Sequence, residues 1–133
     1  MSDPMPSIPE ILALGPVMPV IVIDDAAQAV PLAHALLAGG IRTIEITLRT
    51  PAALEAVRAV ATDCPDITVG AGTVNNAALA KQARDAGAAF AVSPGTTASV
   101  INGCADAGLP LLPGAATVSE MMELQDAGFS AMK

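Results

Sequence analysis

The stretch Thr43-Ile44-Glu45-Ile46-Thr47 sets a carboxylate in the middle of an apolar run, and Lys133 ends another such stretch. A desolvated carboxylate tends to hold its proton, and a desolvated amine tends to lose one. A buried acid and a buried amine on neighbouring strands would supply an amine nucleophile and a proton-shuttling acid. Alternation along a strand puts Thr43, Glu45 and Thr47 on one face and Ile44 and Ile46 on the other. The isoleucines are expected to pack on helices, which turns Glu45 toward a barrel interior. Phe129, Ala131 and Lys133 are expected to share a face in the same way. An unpaired charge in such an interior is costly, so Glu45 is either paired or protonated, or it lines a wet site.

Each of these residues also has a plainer reading. Glu45 could be a structural ion-pair partner of Arg42 or Arg49. Arg49 could cap a carbonyl or lie on the surface, and Lys133 could be an ordinary exposed lysine. Gly70-Ala71-Gly72-Thr73 resembles a phosphate loop only loosely, without the lysine of a P-loop or the GxGxxG spacing. His34, the single histidine, falls on a helix away from the strand ends. Cys64 and Cys104 form no CxxC pair and are not next to a histidine in sequence. They read as small buried hydrophobes of a reducing compartment, and a metal centre is poorly supported.

A recurring unit positions these residues. Asp85-Ala86-Gly87, Asp106-Ala107-Gly108 and Asp126-Ala127-Gly128 each precede an apolar stretch, and Ala38-Gly39-Gly40 is a looser copy. Each reads as a helix closed by a left-handed glycine and followed by a buried strand. The pattern predicts strands at about Val17–Ile23, Arg42–Thr47, Thr68–Ala71, Ala89–Ser93, Leu109–Leu112 and Ser130–Lys133, with five helices between them and a short leading helix at about 8–14. Expected caps are Ser7 with Glu10, Asp24 or Asp25, Thr50 before Pro51, Asn75 or Asn76, Thr96 or Thr97, and Thr117 with Glu120. Pro31 is expected to kink its helix or mark a late start. Strand–helix alternation favours a parallel α/β sheet, either a barrel or an open sheet of six strands.

In both architectures ligands bind beyond the carboxyl ends of the strands. Those ends carry Thr47-Leu48-Arg49, Gly72-Thr73, Ser93-Pro94-Gly95, Pro113-Gly114 and Lys133. Glycines there would let a ligand approach the backbone.

Composition narrows the classes. The 133 residues are one domain's worth of chain, 1–133, and are 53% hydrophobic but only 2% aromatic, so small aliphatics must fill the core. A net charge of −7 argues against nucleic acid and anionic membranes as partners. Met1 to Glu10 holds no basic residue, which speaks against a signal peptide, and the run Ile11 to Ile23 is short and broken by proline.

The runs Gly15-Pro16-Val17-Met18-Pro19-Val20, Ala38-Gly39-Gly40, Glu45 to Thr50, Val69 to Val74, Ser93-Pro94-Gly95 and Pro113-Gly114 resemble, in one register, the bacterial 2-keto-3-deoxy-6-phosphogluconate (KDPG) aldolases, which also act on 4-hydroxy-2-oxoglutarate. The resemblance implies a cytoplasmic class I lyase on a (β/α)8 TIM barrel, usually a homotrimer. It implies a small 2-keto acid substrate and no cofactor beyond a covalent imine on Lys133. By that likeness Lys133 is the Schiff-base lysine and Glu45 the general acid/base. Arg49 and Thr73 bind the pyruvate-derived carboxylate and its neighbourhood, Pro94 lines the pocket, and no residue holds a metal. The family continues past the lysine with two more βα units that supply a phosphate site, so this chain reads as the first ~5.5 units of the barrel. A non-catalytic partial barrel that binds a sugar phosphate or serves only in assembly is the alternative. A related barrel epimerase is weaker, because those enzymes lean on histidine and metal.

Overall fold

The computed structural model describes residues 5–133; residues 1–4, the start of the expected domain and of the segment weighed as a leader, lie outside the description. The described elements are α1 (Ile8–Leu12), β1 (Val20–Ile21), a 3-10 turn (Ala26–Gln28), α2 (Ala29–Ala38), β2 (Thr43–Thr47), α3 (Ala53–Asp63), β3 (Thr68–Gly72), α4 (Ala77–Asp85), β4 (Phe90–Val92), α5 (Ala98–Asp106), β5 (Leu111–Leu112) and α6 (Val118–Asp126). Among the described residues the strands form one parallel sheet in the order β1-β2-β3-β4-β5. Because that order never reverses, right-handed crossovers carry the intervening helices to a single face. A doubly wound sheet would need a reversal, and this order has none.

Each glycine of the repeat closes its helix as expected. Gly40, Gly87, Gly108 and Gly128 have φ between 62° and 97°. The next residue donates its N–H back to a last-turn carbonyl: Ile41 to Leu36, Ala88 to Ala83, Leu109 to Cys104 and Phe129 to Leu124. Asn76 and Thr97 cap α4 and α5, and Thr117 with Glu120 forms the capping box of α6. Asp25 accepts from the Ala27 N–H and caps the 3-10 turn, so α2 starts late and Pro31 falls harmlessly in its first turn. Thr50 does not cap: Ala52 occupies that position in α3, while the Thr50 hydroxyl donates to the Ile23 carbonyl and ties the loop to the end of β1.

The two faces of the sheet bury different residues. Ile44, Ile46, Val69, Ala71, Ala91 and Leu111 face the helices and join one large core. Fully burying Ile44 and Ile46 contributes about 1.5–3 kcal/mol each. Phe90, Val92 and Leu112 face the other way, and Ile11 of α1 packs onto them. Small residues let the helices approach closely: a Cβ on Gly103 of α5 would come within 2.5 Å of Ala77 Cα in α4.

Three strand expectations fail. The first strand is Val20–Ile21, not Val17–Ile23, and Val17, Val20 and Val22 are exposed; among the described residues β1 pairs with β2. Of the expected strand Ser130–Lys133, residues 130–132 are not in a strand, whereas Lys133 makes both backbone hydrogen bonds of a parallel pair beside Gly114, with Pro113 and Ala115. Phe129 and Ala131 therefore do not share a face: Phe129 packs on the helix-side core and Ala131 on the inner cluster. No helix of the described residues is long and apolar enough to cross a membrane.

Candidate active site

β2 carries Glu45 because its neighbours on both sides require the strand to sit there. Ile44 and Ile46 are held by the helix-side core, so Thr43, Glu45 and Thr47 must face inward. The threonines are satisfied locally: the Thr47 hydroxyl donates to the Ile21 carbonyl at 2.9 Å and that of Thr43 to the Val17 carbonyl at 3.4 Å. Only Glu45 has no backbone partner for its side chain, and it is 2% exposed.

Its partner is Lys133. The Lys133 ammonium donates to Glu45 Oε2 at 3.1 Å and lies 3.4 Å from Oε1. Thus the pairing expected from sequence forms, and neither Arg42 nor Arg49 is the partner of Glu45. The expected burial of both groups holds for one only. The Glu45 side chain is 3% exposed, whereas that of Lys133 is 46% exposed. Lys133 is held beside the chain after β5 by its backbone hydrogen bonds to Pro113 and Ala115.

Gly70 and Gly72 face the same hollow, opposite Glu45 and Thr47 in the register. Their bare α-carbons are already used by the protein itself. A Cβ on Gly72 would lie 2.8 Å from Cγ and Cδ of Glu45, and one on Gly70 would enter the Phe90 ring. These glycines therefore make room for the Glu45 carboxylate and for a core aromatic, where the sequence suggested room for a ligand.

Thr73 follows directly, with φ of 61°. A β-branched residue in the left-handed region is a true outlier, and such strain persists where the surroundings impose it. Arg49 is exposed at the end of β2 and makes no side-chain hydrogen bond among the described residues, so it is free to meet a ligand. Pro94 is exposed beyond β4. All five nominated residues therefore lie on β2 or at the carboxyl ends of the strands, and the structure joins two of them, Glu45 and Lys133, directly.

Sequence reasoning missed a buried polar cluster behind Lys133. Ser93 Oγ lies 2.9 Å from Thr96 Oγ1, the Gly114 N–H donates to Ser93 Oγ at 3.2 Å, and the Thr96 hydroxyl donates to the Gly114 carbonyl at 2.9 Å. The motifs Ser93-Pro94-Gly95 and Pro113-Gly114 marked the place but not the bond. The structure also brings Cys64 Sγ within 3.6 Å of His34 Nε2, a neighbour invisible in the linear spacing. Burial, with Asp63 nearby, pushes the Cys64 thiol up, which keeps it protonated. Two hollows of about 380 Å³ each lie elsewhere, one around Lys81 and Arg84 and the other around Ile8 and Phe129. Neither brings a buried ionisable group to a strand end, so size does not mark the site here.

Fold and pair together define a parallel α/β protein with a lysine–glutamate centre at its strand ends. The chain belongs to the KDPG and KHG aldolase family, whose model matches residues 8–133. It is 48% identical over 124 residues to a 2-dehydro-3-deoxy-phosphogluconate aldolase of Pseudoalteromonas atlantica, covering 93% of this chain and 58% of that protein. A KDPG aldolase from Legionella pneumophila, solved with pyruvate captured as a covalent carbinolamine intermediate, superposes with a TM-score of 0.88 at 43% identity, over 92% of this chain and 60% of that one. The Zymomonas mobilis enzyme with 3-phosphoglycerate gives a TM-score of 0.89 at 45% identity, over 96% and 61%. The chain thus spans less than two thirds of the length of these relatives.

Proposed function

We propose that this chain is the imine-forming part of a class I aldolase. The full enzyme would cleave 2-keto-3-deoxy-6-phosphogluconate to pyruvate and glyceraldehyde 3-phosphate, and 4-hydroxy-2-oxoglutarate to pyruvate and glyoxylate. The observation that carries this reading is the Lys133 ammonium 3.1 Å from the carboxylate of Glu45, buried on the inner face of β2. The family relation supports it, as does the carbinolamine captured in the Legionella relative.

The geometry suggests the order of events. At rest, Glu45 accepts hydrogen bonds from the Lys133 ammonium. A keto acid entering from the open side of Lys133 displaces water and strips solvation from both charges, which favours transfer of the proton to Glu45. The neutral amine then attacks the C2 ketone. Glu45 returns its proton to the carbinolamine oxygen, water leaves, and an iminium remains. Glu45, now ionised, takes the proton of the C4 hydroxyl as the iminium accepts the electron pair of the breaking C3–C4 bond, giving an enamine and an aldehyde. Protonation of the enamine and hydrolysis release pyruvate and regenerate Lys133.

Arg49, exposed and without a side-chain partner, would bind the substrate carboxylate. Thr73 would contribute its hydroxyl from a strained position, and Pro94 would line the pocket. No cofactor enters this scheme, because the covalent lysine is the electron sink. The sequential parallel order supports a (β/α)8 barrel as the whole fold. A homotrimer in the cytoplasm, and a phosphate site on units beyond residue 133, complete the proposal.

Borohydride reduction in the presence of pyruvate tests it. The expected result is a stable mass increment on Lys133, absent in Lys133→Ala. Glu45→Gln should slow the reaction yet leave some adduct, since the amine remains. An increment on Lys81 instead, or none on either lysine, would refute imine chemistry at this site and leave a non-catalytic binding role.

A further inference from the structure

We propose that Ser93 and Thr96 are positioning residues for Lys133. The inference rests on the imine-forming reading for its catalytic consequence, but its geometry stands alone.

Ser93 is completely buried and follows directly after β4. Proton bookkeeping fixes the direction of its contacts. The single hydroxyl proton of Thr96 goes to the Gly114 carbonyl, and Ser93 Oγ accepts from the Gly114 N–H. The remaining bond between the hydroxyls must then run from Ser93 to Thr96. The result is a closed ring: Gly114 N–H to Ser93, Ser93 to Thr96, and Thr96 to Gly114 C=O. Every donor is used, and a buried ring of this kind is cooperative.

The same two peptide groups hold Lys133 from their other side. The peptide that offers the Gly114 N–H to Ser93 offers the Pro113 carbonyl to the Lys133 N–H at 2.8 Å. The peptide that offers the Gly114 carbonyl to Thr96 offers the Ala115 N–H to the Lys133 carbonyl at 3.0 Å. In a trans peptide the N–H and C=O point in opposite directions, and the described chain holds no cis bond. Ser93 and Thr96 therefore stand in for a neighbouring strand where β4 has ended, and they fix the two planes on which Lys133 hangs. Gly114 must be glycine for the ring to close, since a Cβ would lie 2.6 Å from Pro94 C. Both backbone groups of Lys133 hang on these planes, so the planes set where its Nζ meets Glu45.

Thr96→Val removes the hydroxyl at nearly constant shape. Thr96→Ser restores it, and Val100→Ala loosens α5 without touching the ring. Two readouts apply. Trace acetylation with mass spectrometry measures the reactivity of Lys133 against Lys81, the only other lysine, without requiring any aldolase activity. Borohydride trapping with pyruvate measures the catalytic consequence. Thr96→Val should raise acetylation of Lys133 relative to Lys81, and slow trapping, by about fivefold, the ratio that one net hydrogen bond represents. Thr96→Ser should restore both. Unchanged Lys133 acetylation in Thr96→Val, or an equal change in Val100→Ala, would overturn the proposal. If the parent chain traps no imine, the aldolase reading fails, and acetylation still decides whether the ring positions Lys133.

Discussion

Replacing Gly72 with alanine should disable the site while leaving the fold standing. The added Cβ would lie 2.8 Å from both Cγ and Cδ of Glu45 and closer still to Oε1. Ordinary carbon contacts are about 3.5–4.0 Å, so the carboxylate must move by about 1 Å. Backbone is not the obstacle, because the nearest atoms belong to one flexible side chain. Glu45 can swing aside, but the 3.1 Å contact with Lys133 then lengthens beyond hydrogen-bond range. Overpacking of this kind costs about 1–3 kcal/mol. For a domain near this size the melting temperature should fall by roughly 4–10 °C, short of unfolding at room temperature. A misplacement of about 1 Å at a reacting group costs on the order of 10²-fold in rate. Borohydride trapping with pyruvate, followed by intact mass, measures that rate, and a thermal melt measures the stability. A Gly72→Ala protein that traps pyruvate at the parent rate would refute the reasoning. It would mean that Glu45 is not where the proton is needed.

Gly103→Ala is the counterpart. Its Cβ would meet backbone, Ala77 Cα at 2.5 Å, so α4 and α5 must separate; the melting temperature should drop while the trapping rate per folded molecule stays near the parent value. Thr73→Gly relieves a φ of 61°. It should leave the melting temperature unchanged or raise it, as backbone relief of about 1 kcal/mol offsets the entropy of glycine, and it should weaken pyruvate saturation in the trapping assay. Burial raises the Cys104 thiol, and burial followed by Asp63 raises that of Cys64. A thiol whose folded value is raised stabilises the fold fully below its unfolded value, ordinarily about 9.0, and that stability is lost as pH rises through the folded value. Native protein should therefore resist thiol reagents at pH 8, and its denaturant midpoint should fall above about pH 9. Rapid labelling at pH 8 would contradict the buried placement.

How much of this was legible depended on periodicity. The period-2 alternation of Thr43 to Thr47 announced which way Glu45 points, because each isoleucine needed a helix to pack on. The glycine-closed repeats announced the helix ends, since only their φ sign was needed. What failed was anything set by distant partners. Val20 and Val22 are as apolar as Ile21 and Ile23, but Val20 pairs with Glu45 and faces away from the helices, whereas Ile23 is buried in the helix-side core. Thr50 had the chemistry of a cap, but the Ile23 carbonyl was a better placed acceptor. The ring through Ser93 and Thr96 depends on how residues about 20 apart in sequence are brought together, and no local pattern encodes that.

The alternation along β2 has a genetic corollary. Glu45 is flanked on both sides by isoleucines whose places are fixed by the helix layer. Losing or gaining one codon within these five would rotate the acid into the greasy interior and an isoleucine into the hollow, cancelling foldability and chemistry in a single step. Lineages can thus explore this segment by exchange of letters but not by changes of length, and variation in length should be confined to the links between strand and helix.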